Sequence, residues 1–123
     1  MVTYMLPFTM MKWKVEFHKT KSSKEPVRVF IKSLSKKEIA KTLREIELLE
    51  DKGIHLGFPH TSSISGTKGL RELRIKFSSN QIRIFYFLHI GSTFILLHGF
   101  RKKQGPIPGK EIEIAIERMK EYK

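Results

Sequence analysis

The sequence predicts an α+β domain with the element order β-α-α-β-β-β-α, an antiparallel meander with an N-terminal helical hairpin on one face. Three observations lead there. Between Leu70 and Lys103, three runs of branched and aromatic residues are separated by Ser78-Ser79-Asn80-Gln81 and by Gly91-Ser92, the spacing of a three-stranded meander. Two stretches upstream and one downstream carry apolar residues at helical intervals. The chain has 123 residues, one domain's worth, and at 40% hydrophobic it can build a real core.

Met1 to Met10 lacks the basic n-region and cleavage site of a signal peptide and reads as an extension the fold does not need, leaving residues 11–123 as a single domain. Met11 to His18 alternates, with Trp13, Val15 and Phe17 on one side and Lys12, Lys14, Glu16 and His18 on the other, and predicts a strand. Ser22 with Glu25 resembles a capping box, Pro26 suits a first helical turn, and Val27, Phe30, Ile31 and Leu34 form a helical stripe. Ser35 and Glu38 repeat the capping pattern, and Ile39, Leu43, Ile46 and Leu49 carry a second stripe to Gly53, which suits the position just past a helix end. The charges along this helix, from Lys36 to Asp51 and including Glu45, alternate in sign and read as a solvated face.

Ile54 to Gly69, with Gly57, Pro59, Gly66 and Gly69, reads as a long loop. Its His55 and His60 match no metal-ligand spacing and are expected as surface histidines. After the meander, Gln104 to Gly109 is a second loop. Lys110 to Tyr122 then predicts a helix that buries Ile112, Ala115, Ile116 and Met119 and places Glu111 and Glu113 at its positive end.

A tight turn at Gly91-Ser92 sets Ile90 opposite Thr93, Phe85 opposite His98 and Arg83 opposite Phe100. If Phe77 faces Ile82 across the other loop, Lys76 lies opposite Arg83 and Arg74 opposite Phe85. One face then carries Leu73, Ile75, Phe77, Ile82, Ile84, Tyr86, Leu88, Ile95 and Leu97 as core. The other mixes Glu72, Arg74, Lys76 and Arg83 with Phe85, Phe87, Leu96, His98 and Phe100. Like charges directly opposite on a sheet repel, so cations paired there suit an anion between them.

Charge points the same way. Lys plus Arg number 24 against 12 acidic residues, a net +12, and Lys68, Arg71, Arg74, Lys76, Arg83, Arg101, Lys102 and Lys103 against Glu72 alone place +7 of it in one stretch. Charge so focused fits a nucleic acid or an acidic protein partner. There is no cysteine, which excludes disulfides and thiolate chemistry and is compatible with a cytoplasmic setting, and no run reaches membrane-span length.

Nucleotide-binding glycine motifs, His-Glu-x-x-His and nucleophile elbows are all missing from the sequence, so no cofactor or metal is expected. A cationic cluster with a histidine and aromatic rings suffices to cleave RNA, whose 2′-hydroxyl can be the nucleophile. Either Lys76 or His98 would be the base, and Arg74 and Arg83 would bind the non-bridging oxygens. Arg101, Lys102 or Lys103 would supply the remaining charge or proton, and Phe85 would stack a base.

LRELRIKF, QIRIFYF and FILLHGFRKK, followed by a proline-containing loop and KEIEIAIERMKEY, together with the strand at Met11 to His18 and the hairpin segment EPVRVFIKSLSKKE, resemble the RelE/ParE toxin superfamily, in particular its HigB-like, phage-derived branch. The resemblance implies a RelE-like toxin of a type II toxin–antitoxin system. It also implies a ribosome-dependent, metal-independent mRNA endoribonuclease, held in check by a cognate antitoxin with a helix-turn-helix domain. The positions matching the superfamily's basic cleavage residues are Arg74, Lys76 and Arg83, with Arg101 after the third strand and Lys102 and Lys103 beside it. The superfamily's stacking tyrosine has no counterpart between Tyr86 and Tyr122, which leaves Phe85 or Phe100 as substitutes. The rival readings are a ParE-like inhibitor of DNA gyrase and a non-catalytic nucleic-acid or ribosome-binding module.

Overall fold

The computed structural model describes residues 13–123. The proposed extension at residues 1–10, and the start of the first strand at Met11 and Lys12, lie outside them. The elements are β1 (Lys14–Phe17), α1 (Pro26–Lys32), α2 (Lys36–Lys52), β2 (Thr61–Ser63), β3 (Arg71–Phe77), β4 (Asn80–Ile90), β5 (Thr93–Lys102) and α3 (Gly109–Lys120), with a single 3-10 turn after α2. They form a five-stranded sheet in the order β1-β5-β4-β3-β2, antiparallel except where β1 runs beside β5. The expected α+β, RelE-like architecture is present, with β2 added at one edge.

Local chemistry sets most boundaries. Glu25 caps α1 without a side-chain hydrogen bond, so the Ser22–Glu25 box does not form. At α2 the box is complete: the Glu38 N–H donates to Ser35 Oγ at 3.2 Å and the Ser35 N–H to Glu38 Oε1 at 2.9 Å. Gly53 ends α2 at φ 55°, in a region costly for other residues, and a Cβ there would overlap the Trp13 indole.

The stripe of α2 is rotated from the expected one. Its buried residues are Glu38, Thr42, Glu45, Ile46 and Leu49, while Leu43 is 47% exposed. Two acids go under because each meets a cationic or protonatable partner from elsewhere in the chain. Arg101 on β5 grips Glu38 with both terminal nitrogens, at 2.7 and 2.8 Å, and the Asn80 amide adds a third bond. These bonds, Arg101 first and the Ser35 N–H next, hold the Glu38 carboxyl well below its ordinary 4.5, at about 2. A folded value below the unfolded one means the contribution to stability is complete above about pH 4.5 and is lost as pH falls toward about 2. Glu38→Gln is therefore expected to flatten the decline of thermal stability between those pH values in melts of the two proteins.

The meander register follows the turns. Gly91, at φ 56°, makes the tight turn, and Ile90–Thr93, Phe85–His98 and Arg83–Phe100 pair as the sequence suggests. Two irregularities separate those pairs. Leu97 is extra on β5 and His89 is extra on β4, so Tyr86 faces Leu96 and Leu88 faces Phe94. Ile95 and Leu97 consequently turn away from the hairpin face and Leu96 turns toward it. On the other side of β4, Ser78-Ser79 is a two-residue turn, and Phe77 pairs with Asn80 rather than Ile82. That is a slip of two, which preserves faces but changes neighbours: Arg74 sits opposite Arg83, Lys76 opposite Gln81 and Glu72 opposite Phe85.

Two apolar layers result. The hairpin packs on Leu73, Ile75, Ile82, Ile84, Tyr86, Phe94 and Leu96. The second face is also covered: α3 lays Ala115 and Met119 over Phe85, Phe87, Ile95, Leu97 and Phe100. Leu88, expected in the core, is 40% exposed, and Phe77 is only half-buried. No helix among the described residues is long and apolar enough to cross a membrane.

Candidate active site

On the sheet face that carries α3, strands β3, β4 and β5 present three successive rows: Glu72–Phe85–His98, Arg74–Arg83–Phe100 and Lys76–Gln81–Lys102. The first lies beneath or beside α3. The others lead out to the β3 edge, where β2 pairs only with Arg71, Glu72 and Leu73 and the backbone continues with a single bond from the Arg74 N–H to the His60 carbonyl, 2.7 Å. A groove of about 370 Å³ lies there, lined by Lys41 and Glu45 of α2, Pro59, His60, Arg74, Lys76, Gln81 and Arg83.

Arg83 forms the floor. It is 4% exposed, with Nε 2.7 Å from Glu72 Oε1. Both of those atoms lack an aligned hydrogen bond, so the contact is an ion pair by distance rather than a directed bond. Arg83 Nη2 donates to Gln81 Oε1 at 3.0 Å, and Ser62 Oγ donates to Glu72 Oε2 at 2.8 Å. Burial lowers the Arg83 pKa below its ordinary value, Glu72 opposes that, and Arg74 adds to it.

Arg74 and Lys76 meet the groove differently. The Arg74 guanidinium lies 5.2 Å from the centroid of the exposed Phe58 ring, and Lys76 is exposed. Among the described residues neither has a carboxylate within ion-pair distance. Two arginines directly opposite each other, one neutralised from behind by Glu72 and the other not, form a pocket of uncompensated positive charge suited to an oxyanion.

The remaining expected site residues are elsewhere. His98 is held by α3: its Nε2 is 2.8 Å from Glu111 Oε1 and its Nδ1 3.5 Å from Arg118. Phe85 and Phe100 are 0% and 6% exposed in the layer under α3, so neither offers a ring to a base. Arg101 is on the opposite face, spent on Glu38. Lys102 shares the site face but its ammonium binds the Gly105 and Lys103 carbonyls, and Lys103 is exposed beyond it. Arg71 points to the hairpin side, bonded to Thr61 Oγ1 and the Tyr86 hydroxyl, and with Lys68 it borders a separate groove.

The groove also contains what the sequence reading passed over. His60 Nδ1 sits 3.0 and 3.1 Å from the two oxygens of Glu45, a carboxylate 5% exposed. The available signal was the spacing of Glu38, Thr42 and Glu45 on one side of α2, polar residues in line with Leu49, which implied partners waiting across the fold.

The family model described as phage derived protein Gp49-like (DUF891) matches residues 29–120, from α1 to the end of α3, and so takes in every residue of this groove. The chain belongs to the Gp49-like family. That family lies within the RelE/HigB-like toxin superfamily and consists of toxin–antitoxin-type toxins, so an antitoxin partner goes with membership. No curated protein matches this sequence. Of the residues that the sequence put forward for the site, the structure gathers Arg74, Lys76 and Arg83 at this one groove.

Proposed function

We propose that this Gp49-like protein is the toxin of a type II pair and cuts mRNA on the ribosome, using the RNA's own 2′-hydroxyl as nucleophile. The observation that carries the reading is the convergence of Arg74, Lys76 and Arg83 on a single groove whose one acidic wall among the described residues is Glu45. A phosphodiester entering at the open β3 edge would place its non-bridging oxygens between Arg74 and Lys76, over Arg83. Charge growing on the phosphorane-like transition state would be met by donors already fixed by Glu72 and Gln81, at little reorganisation cost. The antitoxin, with a helix-turn-helix domain in this proposal, would silence the protein by covering the groove or keeping it from the ribosome.

Lys76 is exposed and its ammonium pairs with no carboxylate among the described residues, which makes it the clean probe. In a reconstituted translation reaction followed by primer extension, the parent protein is expected to cut at ribosome-occupied codons. Lys76→Ala should cut at least about tenfold more slowly with unchanged melting. Intact mRNA in the presence of the parent would reject the nuclease reading and favour gyrase inhibition or plain binding.

A further inference from the structure

The reaction needs a group to take the 2′-proton, a role for which the sequence offers Lys76 or His98, and the groove holds another histidine shaped for it. Of the two histidines named so far in hydrogen bonds with carboxylates, His98 has Glu111 at one ring nitrogen and Arg118 near the other. His60 has Glu45 at Nδ1, and its side chain remains 39% exposed in the same groove as Arg74, Lys76 and Arg83. His18 is 1% exposed and bonded to the Tyr122 hydroxyl at 2.7 Å.

A buried carboxylate that accepts from Nδ1–H selects the tautomer in which Nε2 carries the lone pair, and it stabilises the imidazolium formed when that lone pair takes a proton. Glu45 is suited to this because its carboxylate sits on a rigid helix and both its oxygens face the same ring nitrogen. The His60 backbone is fixed as well, through its carbonyl to the Arg74 N–H and through its N–H to the Gly57 carbonyl at 3.0 Å.

We infer that His60, oriented by Glu45, is the general base of this site. The inference rests on the mRNA-cleaving reading above. In the step, Nε2 takes the 2′-hydroxyl proton, the 2′-oxygen forms a bond to phosphorus, and the bond from phosphorus to the 5′-oxygen breaks. The products are a 2′,3′-cyclic phosphate and a 5′-hydroxyl. The leaving oxygen takes its proton from water, and the imidazolium returns its proton to the solvent. Glu45 does not touch the RNA and is a positioning residue.

The test compares the parent, His60→Gln, His60→Ala and Glu45→Gln in the primer-extension reaction, with ribosome binding measured by sedimentation. His60→Gln retains a polar side chain against Glu45 and is expected to melt like the parent and bind ribosomes equally. Its cleavage should fall about 10²- to 10⁴-fold, the range for losing a general base. Added imidazole should restore part of the cleavage to His60→Ala and none to Lys76→Ala, a result that a merely structural histidine would not produce. Glu45→Gln should slow cleavage less than either His60 variant. Cleavage by His60→Gln at the parent rate would overturn the proposal and leave the nuclease reading standing, and so would a loss that tracks ribosome binding without imidazole rescue. A parent that leaves mRNA intact would overturn both.

Discussion

Arg83→Ala is expected to lower mRNA cleavage by two to three orders of magnitude, roughly, and to destabilise the fold at the same time. Loss of one preorganised donor to a developing oxyanion costs about 10²- to 10³-fold in rate. The second effect follows from burial: the Arg83 and Glu72 side chains are 5% and 11% exposed, so the substitution leaves a carboxylate in the sheet without its counter-charge. Breaking such a pair from one side costs about 3–5 kcal/mol. From the sequence alone, Arg83 lies off the main core face and would be replaceable without harm to folding, and its burial removes that expectation.

The two effects separate in a double variant. Arg83→Gln with Glu72→Gln leaves no buried charge unpaired, so urea unfolding should recover most of the lost stability while cleavage in primer extension stays about 10²- to 10³-fold down. Cleavage at the parent rate by the stable double variant would restrict Arg83 to a structural role and leave Arg74 and Lys76 as the binding cations.

Phe85→Ala is expected to cost about 3–5 kcal/mol in urea unfolding, as for other large-to-small changes at a filled aromatic site. The ring is fully buried, with its centroid 5.2 Å from that of Phe100 and 6.4 Å from that of His98, in the layer closed by Ala115 and Met119. A stacking platform for a displaced base would behave in the opposite way, losing cleavage without stability. Phe85→Leu keeps most of the apolar volume and should retain cleavage. A stable Phe85→Ala that no longer cuts would mean that α3 leaves this face during function.

The different fates of Arg83 and Phe85 have one origin. Alternation along β4 correctly puts both on the same face, but it carries no information about what covers that face. The α3 stripe of Ala115, Met119 and their neighbours was plain in the sequence, as was its need for an apolar surface. Which surface it takes depends on where β5 lies after the bulges at Leu97 and His89, and those belong to the β4–β5 pairing, about which the periodicity of α3 carries no information. The reading of Ile54 to Gly69 as loop failed for a related reason. Thr61 to Ser63 has no apolar alternation and becomes a strand only because β3 offers it an edge.

The sequence by itself determined the element order apart from β2, the complete α2 capping box, the Gly91 turn with the pairs on either side of it, and the concentration of cations on the meander. These depend on periodicity, turn chemistry and charge, which act over a few residues. Tertiary structure alone decided that Arg101 and His98 serve as internal latches, that Phe85 and Phe100 are core, and that Glu45 meets His60 beside Arg74. Each of those outcomes joins residues far apart in the chain, and a buried charge or ring takes its role from the partner that the fold brings to it.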